Sequence, residues 1–265
     1  ILSAMNLIRN WLQRLLGERR YLAFLASVFR KIYGAGLAGP DYQDIYFLRN
    51  FIKIGDYCVD IGAHLGYYTV ELSRLVGSEG KVFAVEPMSR FHETLKNLLD
   101  KRQIANVTLY QMALGGEGEY VEMGIPRVGS QKKFAYARVK DSQAGQNLDY
   151  LESEKVKNES GDSLFKQLPR LDFIKCDVEG LEVSVFSSMM GTVSVHHPVL
   201  LCELADRAER IKLFEIVAPH GYRAFALREK KLHHLDVYSV EITVSHNHYF
   251  IPDKRLEALK TLISL

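Results

Sequence analysis

The first feature with chemical potential is a glycine turn between a buried strand and a helix. The short run Tyr57–Ile61 is apolar and bounded by turn residues, which predicts a buried parallel strand. Gly62 and Gly66 flank the turn that follows, and residues 67–76 continue with helical spacing. A strand, a glycine turn and a helix in this order let the backbone approach a nucleotide-like ligand at the carboxyl end of the strand.

A second predicted strand ends in an acidic residue. Residues 81–85 form this strand, and Glu86 follows roughly twenty residues after Gly62, a spacing at which a carboxylate can accept hydrogen bonds from ribose hydroxyls. The turn lacks the central glycine of a dinucleotide fingerprint, because the three residues between Gly62 and Gly66 are not glycines. Ribose without pyrophosphate indicates a nucleoside-type cofactor such as S-adenosylmethionine. A nicotinamide dehydrogenase is one alternative.

Five stretches together resemble the FkbM family of S-adenosylmethionine-dependent methyltransferases. They are residues 60–69 (DIGAHLGYYT), 85–87 (VEP), 112–115 (MALG), 173–182 (FIKCDVEGLE) and 247–252 (NHYFIP). The resemblance extends over residues 42–252, and residues 173–182 are its most family-specific part. His64 departs from it, since the family more often has Asn there. The resemblance implies a Rossmann-like methyltransferase fold with S-adenosylmethionine as the cofactor.

By that resemblance, each motif takes one part of the cofactor. The turn after the first strand is expected to hold the methionine part, with backbone donors near its carboxylate, and Thr69 to add a hydroxyl contact. Glu86 is expected to hold the ribose, and the segment beginning at Met112 to border the adenine ring, although Met112 is also consistent with a core residue. The expected cofactor-binding residues are Asp60, Gly62, Ala63, His64, Gly66, Thr69, Glu86, Met112 and Ala113.

Two acidic residues follow the apolar run 171–176, at the end of a strand where open α/β sheets bind their ligands. Methyl transfer to an alcohol needs a base, because the hydroxyl is a poor nucleophile until its proton can leave. We therefore predict Asp177 and Glu179 as catalytic residues. Asp177 could instead attract the positive sulfonium and orient the substrate. Glu179 could be a charge favoured at the start of the next helix.

We predict no metal and no nucleophilic Ser or Cys. No two histidines have the His-x-x-x-His spacing of a helical metal site, and no Gly-x-Ser-x-Gly elbow occurs. The candidate metal ligands are His196, His197, His233, His234, His246, His248, Asp177 and Glu203. The three cysteines, Cys58, Cys176 and Cys202, lie in apolar runs without a Cys-x-x-Cys pair, which predicts reduced core thiols in a cytoplasmic protein.

Charge is near neutral over the chain but uneven along it. Lys plus Arg is 34 and Asp plus Glu is 32, which argues against a dedicated nucleic-acid-binding domain. Residues 1–33 carry six basic residues and one acidic residue, and residues 7–33 have helical apolar spacing without a run long enough to cross a bilayer. We expect this arm to pack on the domain or a second subunit, or to contact an anionic membrane surface. Residues 1–40 are thus predicted as a helical extension with a linker, and residues 41–265 as the catalytic domain.

A long basic insertion precedes the run 171–176. Residues 120–123 predict a strand within it, and residues 127–140 contain no acidic residue but five basic ones: Arg127, Lys132, Lys133, Arg138 and Lys140. Long excursions in compact domains are often lids or binding loops. A basic lid would suit an anionic substrate, one that carries phosphate or carboxylate, and a solvated hairpin face is the alternative.

The predicted fold is α/β, a doubly wound and mainly parallel sheet of seven strands with an N-terminal helical extension. Its last strands are expected at residues 198–204 and 222–227, followed by a closing hairpin or antiparallel edge within 234–251. The predicted function is S-adenosylmethionine-dependent O-methylation of a hydroxyl on a sugar, glycan or other small molecule. The alternatives are a catalytically inert methyltransferase-like binding module and an RNA methyltransferase.

Overall fold

A computed structural model describes residues 11–34, 36, 37, 39, 42–128, 131, 132, 137–140, 142, 148–204, 206–239 and 246–264. An eight-stranded main sheet forms the centre of the fold, and a smaller sheet accompanies it. In spatial order the main strands are β12 (Lys231–His234), β11 (Tyr222–Arg228), β13 (Asn247–Pro252), β10 (Val199–Glu203), β9 (Phe173–Cys176), β1 (Tyr57–Ile61), β2 (Lys81–Val85) and β3 (Val107–Tyr110).

The strand order places a ligand-binding crevice next to β1. The five strands from β10 to β3 are parallel, and each of β13, β11 and β12 pairs antiparallel with its neighbours. The chain goes from β1 to β2 on one side and returns to β9 on the other, so the strand order reverses at β1. Open α/β sheets bind ligands at such a switch point, beyond the carboxyl ends of the strands. The doubly wound, mainly parallel prediction is confirmed.

The prediction of seven strands was one short. The eighth strand, β12, pairs antiparallel with β11 and forms the edge of the sheet. Its two-residue turn consists of Glu229 and Lys230, which both have positive φ, +49° and +63°. Tight hairpin turns usually carry Asn-Gly or Asp-Gly at these positions, so the sequence gives no hairpin signal here. The closing segment predicted within residues 234–251 does not form the edge of the sheet. Its strand β13 is inserted between β10 and β11.

Alternate residues of the strands pack into two core layers. Val59 and Ile61 of β1 lie in one layer, whereas Cys58 lies in the other. All three cysteines are buried and free, as predicted. The helices of the described chain include α1 (Glu18–Gly34), α2 (Gln43–Phe47), α3 (Tyr67–Val76), α4 (Ser89–Lys101), α5 (Gly161–Phe165), α6 (Glu182–Ser187), α7 (Met190–His196), α8 (Arg207–Val217) and α9 (Asp253–Leu259), with 3-10 turns at Leu48–Asn50, Ala218–His220 and Lys260–Leu262.

The insertion between β3 and β9 forms the second sheet. Its strands are β4 (Ala113–Leu114), β8 (Tyr150–Glu159), β5 (Tyr120–Val128) and β6 (Gln131–Lys132), and β7 (Arg138–Val139) also pairs with β5. The predicted strand at residues 120–123 is therefore the start of a longer one. Met123, Val139 and Val156 of this sheet share an apolar cluster with Leu22 of α1.

Helix α1 packs on the domain along one face. Tyr21, Leu22 and Tyr33 are buried, and Glu18 forms an ion pair with Arg90 of α4. Trp11, Leu15 and Phe24, in and before this helix, are large apolar side chains that are exposed to solvent. Among the described residues, no helix is long and apolar enough to span a membrane.

Candidate active site

The turn after β1 lies directly against the chain that follows β9. Gly62 has a φ of +79°, and a Cβ atom there would lie 1.9 Å from the carbonyl oxygen of Asp177. Gly66 has a φ of +84°, and its Cβ would lie 2.4 Å from Cδ1 of Leu95 in α4. Only glycine fits these conformations and contacts without strain. The two glycines thus let segments distant in sequence meet at one place.

We expect Gly62→Ala to lower the free energy of unfolding by roughly 3 kcal/mol or more, because a clash with backbone adds to the cost of positive φ. Gly55→Ala is the matched control. Gly55 also has positive φ, +85°, but a Cβ there meets no atom within 4 Å. The control should therefore lose only about 1 kcal/mol, the conformational part alone. Urea denaturation measures both values, and equal losses would contradict the close approach.

Asp60 is completely buried at the end of β1. Its Oδ2 atom accepts a hydrogen bond of 2.5 Å from the Thr69 hydroxyl. Its Oδ1 atom has no hydrogen-bond partner among the described residues and lies 3.8 Å from Nζ of Lys175. Burial raises the pKa of Asp60, and the Lys175 charge and the Thr69 hydrogen bond oppose that shift. Thr69 therefore orients Asp60 through the hydroxyl that was predicted to contact the cofactor.

Glu86 is fixed between two loops at the end of β2. Its two carboxylate oxygens accept hydrogen bonds from the backbone N–H groups of His64, at 2.8 Å, and Met88, at 2.9 Å. Burial raises the pKa of Glu86 to about 7, and these two donors oppose the shift. Each oxygen keeps a further lone pair. A carboxylate held in this way can accept hydrogen bonds from two neighbouring hydroxyl groups.

The His64 ring is a neutral polar group in the same place. Its backbone is left-handed, with a φ of +48°, and its ring centroid lies 4.3 Å from that of Phe91. Burial lowers the pKa of His64 to about 4, so the imidazole carries no charge at neutral pH. Its Nε2 atom is buried without a hydrogen-bond partner among the described residues. A strained backbone and an unsatisfied ring nitrogen both point to a binding position.

Lys175 connects the glycine turn to Asp177. Its Nζ atom donates hydrogen bonds to the carbonyl oxygen of Gly62 and to Oδ2 of Asp177, both at 3.2 Å. Burial disfavours the ammonium form, but the carboxylates of Asp177 and Asp60 outweigh this effect and raise the pKa of Lys175. The sequence motifs do not identify Lys175 as a site residue. The available signal was a lone charge within a buried strand, since such residues are rarely buried unless paired.

Glu179 joins the loop after β9 to the second sheet. It has a left-handed φ of +57°, and its Oε2 atom accepts a hydrogen bond of 2.7 Å from Arg138 of β7. Burial and the Asp177 carboxylate raise the pKa of Glu179 to about 8, against the opposing charge of Arg138. Its backbone and its pairing differ from those of a simple helix-start charge.

The raised pKa of Glu179 makes stability depend on pH. Between the unfolded value of about 4.3 and the folded value of about 8, the folded protein keeps a proton that the unfolded chain releases. The free energy of unfolding should therefore fall as pH rises from 5 to 8. We expect Glu179→Gln to reduce this fall by about 2 kcal/mol, a value discounted for partial exposure. Urea denaturation across this range tests it, with the exposed Glu117→Gln as a control that should leave the slope unchanged.

These groups line one cavity of about 970 Å³. The predicted residues on its wall are Asp60, Gly62, Ala63, His64, Glu86, Met112, Ala113, Asp177 and Glu179, so Gly66 and Thr69 alone lie behind it. Helix α1 forms a further part of the wall, which the sequence did not indicate, with Tyr21, Leu22, Leu25, Phe29 and Tyr33. Glu203 of β10 and Asn247 of β13 also line the cavity.

The basic residues of the insertion are largely paired. Three form ion pairs with distances between 2.7 and 3.0 Å: Arg127 with Asp149, Arg138 with Glu179, and Lys140 with Glu122. The side chains of Lys132 and Lys133 lie outside the described residues. Within the described chain, no group of three or more His, Cys, Asp and Glu side chains is arranged to hold a metal ion.

Comparison with known families decides the identity of the catalytic domain. The sequence model of the methyltransferase FkbM domain matches residues 60–251, most of the chain. This chain belongs to the FkbM methyltransferase family. Its cofactor is therefore S-adenosylmethionine. No curated protein sequence matches this FkbM methyltransferase.

A solved structure of an FkbM methyltransferase shows the same fold at low sequence identity. An FkbM methyltransferase from Methylobacillus flagellatus is 18% identical, with a TM-score of 0.51 over 93% of this chain and 60% of that one. An S-adenosylmethionine-dependent O-methyltransferase from Thermotoga maritima is 14% identical, with a TM-score of 0.44 over 80% of this chain and 64% of that one. This FkbM methyltransferase thus spans less than two thirds of the length of either structure.

The cavity of this FkbM methyltransferase fits its cofactor. Asp60 Oδ1 and His64 Nε2 are buried polar atoms that lack hydrogen-bond partners among the described residues, and both residues line the cavity. Gly62 keeps the turn open at a point where a Cβ would collide with backbone. Glu86 presents carboxylate lone pairs of the kind that bind ribose hydroxyls. The predicted residues Asp60, Gly62, His64 and Glu86 therefore lie together at the carboxyl ends of β1 and β2, and their chemistry fits the cofactor.

Proposed function

We propose that this FkbM methyltransferase transfers a methyl group to a hydroxyl of a sugar, glycan or other small molecule. The observation that carries the proposal is the carboxylate of Asp177, which lies on the wall of the cofactor cavity and is held there by Lys175. A carboxylate so placed can accept the proton that an alcohol must lose when it acts as a nucleophile.

Each group has a defined part in the proposed reaction. When bound, S-adenosylmethionine supplies a methyl group on a positively charged sulfur. Glu86 holds the ribose, and the backbone from Asp60 to Gly62 positions the methionine part. Asp177 orients the acceptor hydroxyl and takes its proton as the new oxygen–carbon bond forms and the sulfur–carbon bond breaks. Helix α1 forms an apolar wall that limits access of water to the cavity.

The charge of the wall supports an uncharged or amine-bearing acceptor. Among the described lining residues, one ammonium group, that of Lys175, faces five carboxyl groups: Asp60, Glu86, Asp177, Glu179 and Glu203. Lys175 is already paired with Asp177, and Arg138 with Glu179, so this described part of the wall offers a phosphate or carboxylate on the acceptor no basic partner. We therefore propose a neutral or amino sugar, or a similar alcohol, in preference to RNA and to the anionic substrate suggested by the basic insertion.

The test uses purified protein and S-adenosylmethionine with a labelled methyl group. Three acceptor sets are compared: neutral and amino glycans, glycans that carry phosphate or carboxylate, and total RNA. We expect labelled product in the first set, with mass spectrometry placing the methyl group on oxygen. Label in RNA alone would overturn the proposal. Binding of S-adenosylhomocysteine without transfer to any set would favour the binding module.

We also propose a cytoplasmic location. Cys58, Cys176 and Cys202 are free and buried in the core layers. Thiols of this kind stay reduced in the cytoplasm. Fractionation of the source cells tests this location.

A further inference from the structure

Lys175 is a buried ammonium group that lies between two acids of the cavity wall. Its side chain is only 7% exposed, although it carries a charge. Lys175 and Asp60 are paired residues of the neighbouring parallel strands β9 and β1. The Nζ atom lies 3.2 Å from Asp177 Oδ2, 3.8 Å from Asp60 Oδ1 and 5.3 Å from the centre of the Tyr68 ring. A buried charge needs partners of this kind, and here the partners are two acids of the cavity wall.

The three charged groups sum to one negative charge. Asp60 and Asp177 contribute two carboxylates, and Lys175 contributes one ammonium group that lies near both of them. The same ammonium group donates to the Gly62 carbonyl, so it also holds the glycine turn against the loop after β9. The net charge beside the cofactor and the position of the glycine turn therefore both depend on the side chain of Lys175.

We propose that Lys175 is a positioning residue that sets how strongly the site prefers the positively charged cofactor over its neutral product. Two uncompensated carboxylates would bind the sulfonium of S-adenosylmethionine very tightly in the ground state. Tight ground-state binding does not speed the chemical step. With Lys175 in place, one net negative charge remains, which suffices to favour sulfonium over the thioether of S-adenosylhomocysteine while leaving Asp177 free to act on the acceptor. This inference rests on the proposed function, because it places the sulfonium near Asp177.

The test is the ratio of the affinities for S-adenosylmethionine and S-adenosylhomocysteine, measured by calorimetry without any acceptor. We expect Lys175→Met to raise this preference for the sulfonium about tenfold, since the site then has two negative charges. Lys175→Arg keeps the charge and should stay near the wild-type ratio. Asp177→Asn should lower the ratio about tenfold. The double variant has the wild-type net charge and should return close to the wild-type ratio.

The outcomes separate this inference from the proposed function. A purely structural role of Lys175 would weaken both ligands equally and leave the ratio unchanged in Lys175→Met, which would overturn the inference. If Asp177→Asn also leaves the ratio unchanged, the sulfonium does not lie near Asp177, and the proposed function fails with it. If Lys175→Met does not fold, as judged by circular dichroism, Lys175→Gln and the double variant carry the test, because both remove the same charge and the double variant also removes the repulsion between the acids.

Discussion

Asp177→Asn is expected to lower turnover by about 10²–10⁴-fold while S-adenosylhomocysteine binds with nearly wild-type affinity. Asn has almost the same volume and can still accept the hydrogen bond from Lys175. It cannot take the proton of an acceptor hydroxyl, so the chemical step loses its base. S-adenosylhomocysteine lacks the positive sulfur of S-adenosylmethionine, so its affinity should not depend on the negative charge of Asp177. Turnover is measured by transfer of labelled methyl to the acceptor that the three-set assay finds, and affinity by calorimetry.

Glu179→Gln is the matched comparison for this variant. Glu179 also presents a carboxyl group to the cavity, but its Oε2 atom is paired with Arg138. The proposed mechanism assigns the role of base to Asp177 alone, and not to Glu179 as the sequence also suggests, so we expect the turnover of Glu179→Gln to change less than tenfold. If the turnover of Asp177→Asn is within threefold of the wild-type value, Asp177 is not the base. A loss of S-adenosylmethionine affinity with normal turnover at saturation would leave it the sulfonium-attracting role alone.

The contacts of Asp60, Glu86 and Asp177 show how much of this site the sequence could predict. Each follows or ends a short apolar run, and the carboxyl ends of parallel strands meet at one edge of a sheet. Local pattern and this general rule therefore place all three in the crevice. Their hydrogen-bond partners did not follow from the same reasoning. The Thr69 hydroxyl, which the resemblance assigns to a cofactor contact, donates to Asp60, a partner that the sequence does not indicate.

Helix α1 and Lys175 show why the rest could not be predicted. The apolar spacing of residues 21–33 predicts a helix, but it does not say what the helix covers, and here Tyr21, Phe29 and Tyr33 complete the cavity wall. Lys175 in a buried strand becomes understandable only when two acids from different segments lie beside it. Both features depend on contacts between segments distant in sequence, which a single sequence does not encode in a local pattern.

Glu86→Ala is expected to weaken S-adenosylhomocysteine binding by about 10²–10³-fold. Hydrogen bonds to a charged acceptor contribute about 1.5–3 kcal/mol each, and two ribose hydroxyls would lose theirs. The variant also leaves the backbone N–H groups of His64 and Met88 without their acceptor. We therefore also expect a lower free energy of unfolding, by about 1–3 kcal/mol for each buried donor left unpaired. Calorimetry measures the first effect and urea denaturation the second.

The pH dependence of binding tests the same assignment without loss of the side chain's volume. In the free protein the pKa of Glu86 is about 7, and hydroxyl donors favour its ionised form. Affinity for S-adenosylhomocysteine should therefore fall as pH drops from 8 to 6, and Glu86→Gln should lose this dependence. Glu179→Gln should retain it, which separates Glu86 from the other acid with a raised pKa on the wall. A Glu86→Gln variant with the wild-type pH profile, or a Glu86→Ala variant with an affinity within twofold of wild type, would show that the ribose binds elsewhere.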